Sequence, residues 1–478
     1  MLLSNLIKIS NEEQDCEVKF LTKDCDKANG GVYFCLSDDE EVAIRRAQEA
    51  YDNDATMIVS RFDLPFDNCV QIDDVRGCFA NACKLFYGSA CDRMKIVGIT
   101  GTNGKTTTSH IVGEILKRNG INVGVIGTNG VFYNGKRFDC PLTTPDADFL
   151  HKTFADMEKC GVEYVVMEVS AHAIVQKRVD FISFECAVLT NITQDHLDYF
   201  KSMESYEKAK LAFLTARHAN KAVICADDQR CLNHLQNIKI PYVTYGIKNP
   251  ADCFALDPIC DINGSHFVAN ILDDVFEIKT NLVGEYNVCN ALAAMAVCKL
   301  LGLSNRQISR GINFVKPVEG RFNIINVGGA YVVIDFAHTP DGVEKLLQTA
   351  RSLTNKNVYI VFGCGGNRDS SKRHLMGEIA EKYADYVMLT NDNPRDEDPQ
   401  KIISDIEKNM QKPHFVELNR EDAIKKMVSF LRQGDILLVA GKGAEKYQEI
   451  NGEKIPYNDF DVVKKCSQKI EGVTKNDC

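Results

Sequence analysis

The stretch with the most chemistry in it is Gly98-Ile99-Thr100-Gly101-Thr102-Asn103-Gly104-Lys105-Thr106-Thr107. Glycines let the backbone wrap a triphosphate with its N–H groups pointing inward, and Lys105 adds a full positive charge. A helix starting at Thr106 contributes its positive N-terminal end, and the Thr106 hydroxyl suits a phosphate-bound magnesium ion. The strict G-x-x-x-x-G-K-[ST] pattern is missed by one position, because residue 99 is Ile and the nearest glycines are 98 and 101. Downstream, Met167-Glu168-Val169-Ser170-Ala171-His172 places a carboxylate at a strand end, where a hard oxygen can share magnesium with phosphates. Thr190–Asp198 (TNITQDHLD) ends the next strand, and Tyr206-Glu207-Lys208-Ala209-Lys210 follows. Three later loops, 363–369, 392–395 and 441–445, carry Arg368, Arg395 and Glu445. Each arginine can grip a carboxylate with two parallel hydrogen bonds, while Glu445 can pair with an ammonium.

Elements at suitable intervals hold these loops. Lys95–Thr100 reads as a short buried strand and Thr106–Asn119 as a helix stopped by Gly120. Val123–Ile126, Tyr164–Val169 and Cys186–Thr190 are further apolar strands; Ala222–Cys225, Tyr242–Tyr245 and the segment around His266–Leu282 continue the unit. Asn287–Leu301 is an Ala-rich helix ending in Gly302. Strands alternating with helices imply an α/β fold with a mostly parallel sheet covered on both faces. Ahead of it, a strand at Gly31–Leu36 and helices at Glu41–Asp52 and Arg76–Tyr87 form a small α/β unit, and Gly88–Arg93 is a linker. Beyond Val318, strands at Tyr331–Asp335, Val358–Phe362, Tyr386–Thr390 and Ile436–Ala440 each run into a polar loop. Ligands of open α/β sheets gather at such carboxyl ends. The expected division is 1–92, 93–317 and 318–478.

A chain of 478 residues exceeds one hydrophobic core, so several domains are expected. With 45% hydrophobic and 26% charged residues, its composition is that of a soluble globular protein. A net charge of −10 argues against non-specific binding to nucleic acid or anionic membranes. No apolar run approaches the roughly 18–20 residues that span a bilayer, and MLLSNLIKIS lacks the parts of a signal peptide. The 19 cysteines form no C-x-x-C pair and no cluster with zinc-ligand spacing, so they read as reduced thiols of a cytoplasmic protein. A monomer is expected.

Thr-Gly-Thr-Asn-Gly-Lys-Thr-Thr at 100–107 resembles the ATP loop of the Mur ligase family, and the likeness runs from about residue 20 to about 460. It implies three domains: a UDP-sugar-binding N-terminal unit, a central P-loop parallel sheet and a Rossmann-like C-terminal unit for an amino acid. It implies ATP held by Gly101, Thr102, Asn103, Gly104, Lys105, Thr106 and Thr107. Asn287 of the G-x-x-N-x-x-N segment, Arg321 of Glu319-Gly320-Arg321-Phe322, and Asp335 complete that site. His196 becomes a magnesium ligand beside Thr106 and Glu168, and Lys210 a carbamylated lysine that also holds magnesium. Lys105, Lys210 and His196 are then the catalytic set. The nucleotide-sugar acceptor meets Thr143, Thr144, Ser170, Gln176 and Arg178. The amino acid meets Arg368, Asp392, Asn393, Pro394, Arg395, Gly441 and Glu445. Asp335-Phe336-Ala337-His338-Thr339-Pro340-Asp341 looks like the tripeptide-forming branch, whose acceptor is UDP-N-acetylmuramoyl-L-alanyl-D-glutamate. Members that add lysine replace the arginine of Asp-Asn-Pro-Arg, so Arg395 implies meso-diaminopimelate. The implied reaction is ATP-dependent amide formation through an acyl phosphate, in peptidoglycan synthesis.

One segment departs from the pattern. Where the family has Asp-Ser-Arg, this chain reads Asp24-Cys25-Asp26. A thiol replaces the serine that contacts uridine, and Asp26 repels phosphate where an arginine would attract it. A divergent ligase acting on another acceptor or amino acid is the runner-up. A motor or switch NTPase needs only the phosphate loop, and would leave Arg368, Arg395 and Glu445 without a task.

Overall fold

Alternation within each strand decides the layers, because successive side chains point to opposite faces. In Lys95–Thr100, Val97 and Ile99 pack with the helices Lys105–Arg118 and Glu285–Leu300, while Ile96 joins Leu150, Phe154 and Met157 on the other side. Neighbouring strands divide the same way, Val188 and Val223 to the first face, Leu189 and Ile224 to the second. Both faces are apolar, so the sheet must be covered twice. The structure is a computed structural model and describes residues 1–8 and 15–476.

Among the described residues three large sheets result, each with helices against it, beside the two-stranded hairpin Tyr447–Ile450 with Glu453–Pro456. The first has four parallel strands, Leu21–Thr22, Val32–Phe34, Met57–Ser60 and Cys69–Gln71, in sequence order. The second has eleven strands and a parallel centre ordered Tyr242–Gly246, Ala222–Cys225, Phe184–Leu189, Lys95–Thr100, Tyr164–Glu168, Val123–Gly127. The third has six strands; Ile436–Ala440 lies between Ala330–Asp335 and Val358–Phe362, all parallel. The architecture is α/β, and the loops singled out by their chemistry leave the carboxyl ends of the second and third sheets.

Several elements differ from the sequence reading. Both edges of the large sheet turn antiparallel: Gly130–Tyr133 with Lys136–Phe138 on one side, Cys253–Asp261 with Gly264–Ile271 and Asp274–Thr280 on the other. The segment read as a linker holds a 3-10 turn, Ala90–Arg93, whose Ala90 and Cys91 are buried. Most other bounds move by one or two residues. No disulfide joins the described cysteines, and among the described residues no helix is long and apolar enough to cross a membrane.

One ion pair is fully buried in the third unit. Arg420, at the start of the helix Arg420–Phe430, donates through Nε and Nη2 to the two oxygens of Asp459, each at 2.9 Å. Nη2 also reaches the Ala440 carbonyl at 2.9 Å, so one guanidinium ties a strand end to two helices. Arg420→Met should strand the Asp459 carboxylate and cost about 3–5 kcal/mol. Thermal unfolding checks this; an unchanged midpoint would show that the pair contributes nothing.

Candidate active site

The phosphate loop is shaped by contacts that leave no room for side chains. Gly101 has φ +144, and a Cβ added there would stand 1.8 Å from Thr190 Oγ1. Thr190 Oγ1 donates to the Asn103 carbonyl at 2.6 Å, and Asn191 Oδ1 accepts from Asn103 N at 2.8 Å. The loop after Phe184–Leu189 therefore holds the glycine loop in place. Lys105 Nζ donates to the Gly101 and Thr102 carbonyls, both at 2.8 Å, which sets its charge over the mouth of the loop. Thr106 and Thr107 are buried in the first turn of the helix Lys105–Arg118.

Thr106 Oγ1 donates to Glu168 Oε2 at 3.0 Å, and Thr128 supplies both its N–H (2.9 Å) and its hydroxyl (3.1 Å) to the same carboxylate. A hydroxyl and a carboxylate beside a phosphate cradle fit magnesium, which takes one or two carboxylates and completes its shell with phosphate oxygens and water. His196 follows in a left-handed backbone conformation, φ +56, a strained state for a side chain of this size. Burial, outweighing the pull of Asp195, brings its imidazole down to about 3, so it is neutral and able to ligate metal. Lys210, on the helix Met203–Leu211, is 1% exposed, and its Nζ lies 4.4 Å from the Tyr206 ring centroid. Among the described residues it has no ion-pair partner. Burial first, then the nearby charge of Lys105, push its amine well below the ordinary lysine value.

The third unit reaches into the same space. Arg321 Nη2 donates to Thr106 Oγ1 at 3.1 Å, and its guanidinium sits 4.4 Å over the Phe336 ring. Asp335 accepts from Phe322 N and Ala337 N, both at 2.7 Å, and so shapes the turn that carries Arg321. Asn287 donates to the Val283 carbonyl and accepts from Asn290, whose Oδ1 takes the Thr108 hydroxyl at 3.3 Å. Arg395 (φ +51) ties Nε to Glu449 at 2.9 Å and Nη1 to the Gly366 carbonyl at 2.7 Å. Glu445 Oε2 accepts from Lys442 at 2.7 Å and from Asn393 at 3.0 Å. Arg368 is exposed, and its Nη1 donates to the Asn367 carbonyl at 3.2 Å. Asp392, Gly441 and Asn393 lie beside these groups on the cavity wall.

A single cavity of about 990 Å³ takes in most of these residues, including the loop 102–107, Glu168, His196, Arg321, Asp335, Arg368, Arg395 and Glu445. That is the upper end of ordinary ligand pockets, ample for a nucleotide and a second substrate. Thr143 and Ser170 line it; Thr144, Gln176 and Arg178 are not on its wall. Arg178 donates to the Thr144 carbonyl at 2.9 Å and pairs with Asp146 at 2.8 Å. Lys210, Gly101, Asn287 and Pro394 are not on the cavity wall. In the first unit, Asp24 is balanced by Lys23 at 3.2 Å and Lys27 at 3.0 Å, Cys25 donates to Glu49, and Asp26 is exposed.

Several charged residues at the cavity were not singled out from sequence, Asp195 and Asp341 among them. Asp195 is 4% exposed and accepts from Lys372 at 2.9 Å, with His196 at 3.3 Å and His338 at 3.7 Å. Burial alone would raise its carboxyl, but His338, Lys372 and His196 outweigh it and hold it well below the usual carboxylate range. Asp195 lies within Thr190–Asp198, yet only its fold-dependent neighbours distinguish it from a surface acid. Asp341 likewise accepts from Asn103 at 2.8 Å, across the units.

Comparison with known proteins agrees with this geometry. Residues 99–298 match the family model described as the Mur ligase middle domain, and residues 320–443 that of the Mur ligase glutamate ligase domain. UDP-N-acetylmuramoyl-L-alanyl-D-glutamate–2,6-diaminopimelate ligase of Geobacillus kaustophilus (strain HTA426) is 38% identical over 445 residues, 90% of this chain and 91% of that protein. The protein of the same name from Aquifex aeolicus (strain VF5) is 40% identical over 395 residues, 82% and 81% of the two. A solved structure of a ligase with that name superposes with TM-score 0.69 and 30% identity over 97% of both chains. MurF ligase from Thermotoga maritima in complex with ADP superposes with TM-score 0.65 over 95% of this chain and 98% of that one; at 18% identity the likeness is one of fold.

Proposed function

The chain belongs to the Mur ligase family, and on that footing we propose that it adds meso-diaminopimelate to UDP-N-acetylmuramoyl-L-alanyl-D-glutamate in peptidoglycan synthesis. The observation that carries this reading is one cavity holding both a phosphate loop and the Arg368, Arg395 and Glu445 set. ATP gives its terminal phosphoryl group to the free glutamyl carboxylate. The amine of the amino acid then attacks the acyl phosphate, and the tetrahedral intermediate expels phosphate to leave the amide. Lys105 and Arg321 face the moving phosphoryl group and offset its charge, the largest part of what phosphoryl transfer requires. Thr106, Glu168, His196 and a carbamylated Lys210 would hold magnesium, which would supply positive charge against the phosphates. Asn287 and Asp335 belong to the nucleotide's site, and Thr143, Thr144, Ser170, Gln176 and Arg178 to the acceptor's. Arg368 takes the carboxylate at the reacting end of the amino acid, Arg395 the distal carboxylate and Glu445 the distal ammonium, with Asp392, Asn393, Pro394 and Gly441 shaping the pocket.

Residues 1–92 serve the UDP-sugar, 93–317 the ATP and 318–478 the amino acid, in a cytoplasmic monomer. The deciding assay supplies UDP-muramoyl dipeptide, ATP and a panel of amino acids, with mass spectrometry of the product. A diaminopimelate adduct formed only with ATP is expected; another acceptor or amino acid would leave the ligase chemistry and change the substrate.

Lys105→Ala should keep the fold, since the loop is held by Thr190 and Asn191, yet lose about 10²-fold in kcat. Steady-state kinetics beside a circular dichroism spectrum test this. Near-native turnover would show that the phosphate loop is elsewhere.

A further inference from the structure

We propose that Lys372 and Asp195 form a catch between units, through which seating of the amino-acid loops positions the loop that carries His196. This inference rests on the ligase reading for its substrates but not for its geometry.

The two residues are 177 positions apart and follow strands of different sheets, yet both side chains are almost completely buried, at 8% and 6% exposure. Taking an ammonium and a carboxylate out of water is costly unless they pair, so their mutual burial belongs to the closed arrangement alone. The contact has a second tooth one residue back. Gln194 Nε2 donates to Ser371 Oγ at 2.9 Å, so two consecutive residues of one loop meet two consecutive residues of the 3-10 turn Ser370–Lys372. A one-residue slip would break both contacts.

Each side of the catch is stiffly joined to a different part of the site. On the third unit, the next residue, Arg373, is 1% exposed. It donates to Glu397 at 2.9 and 3.0 Å, to Asp405 at 2.9 Å and to the Gly365 carbonyl at 3.1 Å. Glu397 in turn stands two residues beyond Arg395, and Gly365 three before Arg368. Both arginine loops are thus fastened to the turn that holds Lys372. On the central unit, Asp195 Oδ1 also accepts the His196 backbone N–H at 3.0 Å, which helps to hold that residue's left-handed backbone. Thr193 N, two residues earlier, donates to Thr102 Oγ1 of the phosphate loop at 3.0 Å. The chain of contacts runs from the arginine loops through Lys372 and Asp195 to His196 and the phosphate loop. Lys372 and Asp195 are positioning residues: they act on the reaction through the groups they hold.

The experiment compares the native protein with Lys372→Met, Asp195→Asn and the double variant. Steady-state ligation is measured for each, with small-angle scattering in the presence of an ATP analogue and the UDP-muramoyl dipeptide. Fluorescent-nucleotide binding and thermal melting verify that each variant is folded. Each single variant should raise KM for the amino acid and lower kcat, for about a 10²-fold loss in kcat/KM, while nucleotide affinity stays within a few-fold. The double variant should be no worse than the poorer single, because both remove one contact. The scattering radius of gyration should rise in all three. Losses that multiply in the double variant, a native kcat/KM in Lys372→Met, or an unchanged radius of gyration in folded variants would each overturn the catch. If native protein ligates no amino acid, the ligase reading fails, and the scattering comparison still decides the catch.

Discussion

Lys210→Ala is expected to lose about 10³-fold in kcat while binding ATP nearly as well as the native protein, and to recover in part when short-chain carboxylates are added. An ordinary helix lysine is solvated; this one is buried and lacks an ion-pair partner among the described residues. Burial and the neighbouring Lys105 hold its amine well below the ordinary lysine value, which favours the neutral form. A neutral amine can attack carbon dioxide and lose a proton, giving a carbamate: the cation becomes an anion with two oxygens. Losing that anion beside the phosphates removes several kcal/mol of charge stabilisation, and each 1.36 kcal/mol is a factor of ten in rate. Small carboxylates can enter the space that alanine leaves and supply the missing oxygens. Kinetics with and without acetate test the argument. Full activity in an unmodified ammonium form, seen in the density of an active crystal, would end it.

Arg395→Ala is expected to cut kcat/KM for diaminopimelate by about 10²–10³ and to narrow its advantage over lysine, leaving ATP binding unchanged. The guanidinium is anchored on one edge by Glu449 and the Gly366 carbonyl, and among the described residues Nη2 has no such partner. That nitrogen is the one left to meet a distal carboxylate. Lysine, lacking the carboxylate, would bring an ammonium beside the guanidinium. Glu449 still partners the guanidinium, so the lost carboxylate contact and the added like charge together cost about 3–4 kcal/mol, which is two to three orders of magnitude. Removing the side chain should not collapse the loop. Its backbone is held independently, Arg395 N to the Glu449 carbonyl at 3.0 Å and Asn451 N to the Arg395 carbonyl at 2.9 Å. Measuring kcat/KM for both amino acids, in native and variant protein, decides the matter. Equal use of lysine by the native enzyme, or an unchanged ratio in the variant, would remove Arg395 as the selecting residue.

The features legible in sequence were those whose signal is local. Lys95–Thr100 was read with the bounds it has, because a buried parallel strand is a continuous apolar run between a loop and a Gly-rich turn. The antiparallel edges were missed for the opposite reason. Lys136–Phe138 is exposed throughout, and Cys253–Asp261 mixes exposed and buried residues without a clean alternation. The hairpin Tyr447–Ile450 with Glu453–Pro456 is half exposed as well, yet it supplies the Glu449 that holds Arg395. Partnerships were invisible wherever they join distant segments: Lys372 reads as a surface lysine until the fold brings Asp195 to it. Glu445 was read as an ammonium acceptor, and its existing bond to Lys442 could not be seen in the spacing.

The strand order of the large sheet bears on how the chain is made. Lys95–Thr100, at the middle of the sheet, pairs with Tyr164–Glu168 on one side and Phe184–Leu189 on the other. Both partners are synthesised well after it, so a strand that ends up almost wholly buried leaves the ribosome with two open edges. Pairings this distant in sequence form slowly, and an unpaired apolar strand is a template for aggregation while it waits. Production of this ligase in quantity is therefore governed by elongation rate, temperature and chaperone supply during that interval, more than by the stability of the finished fold.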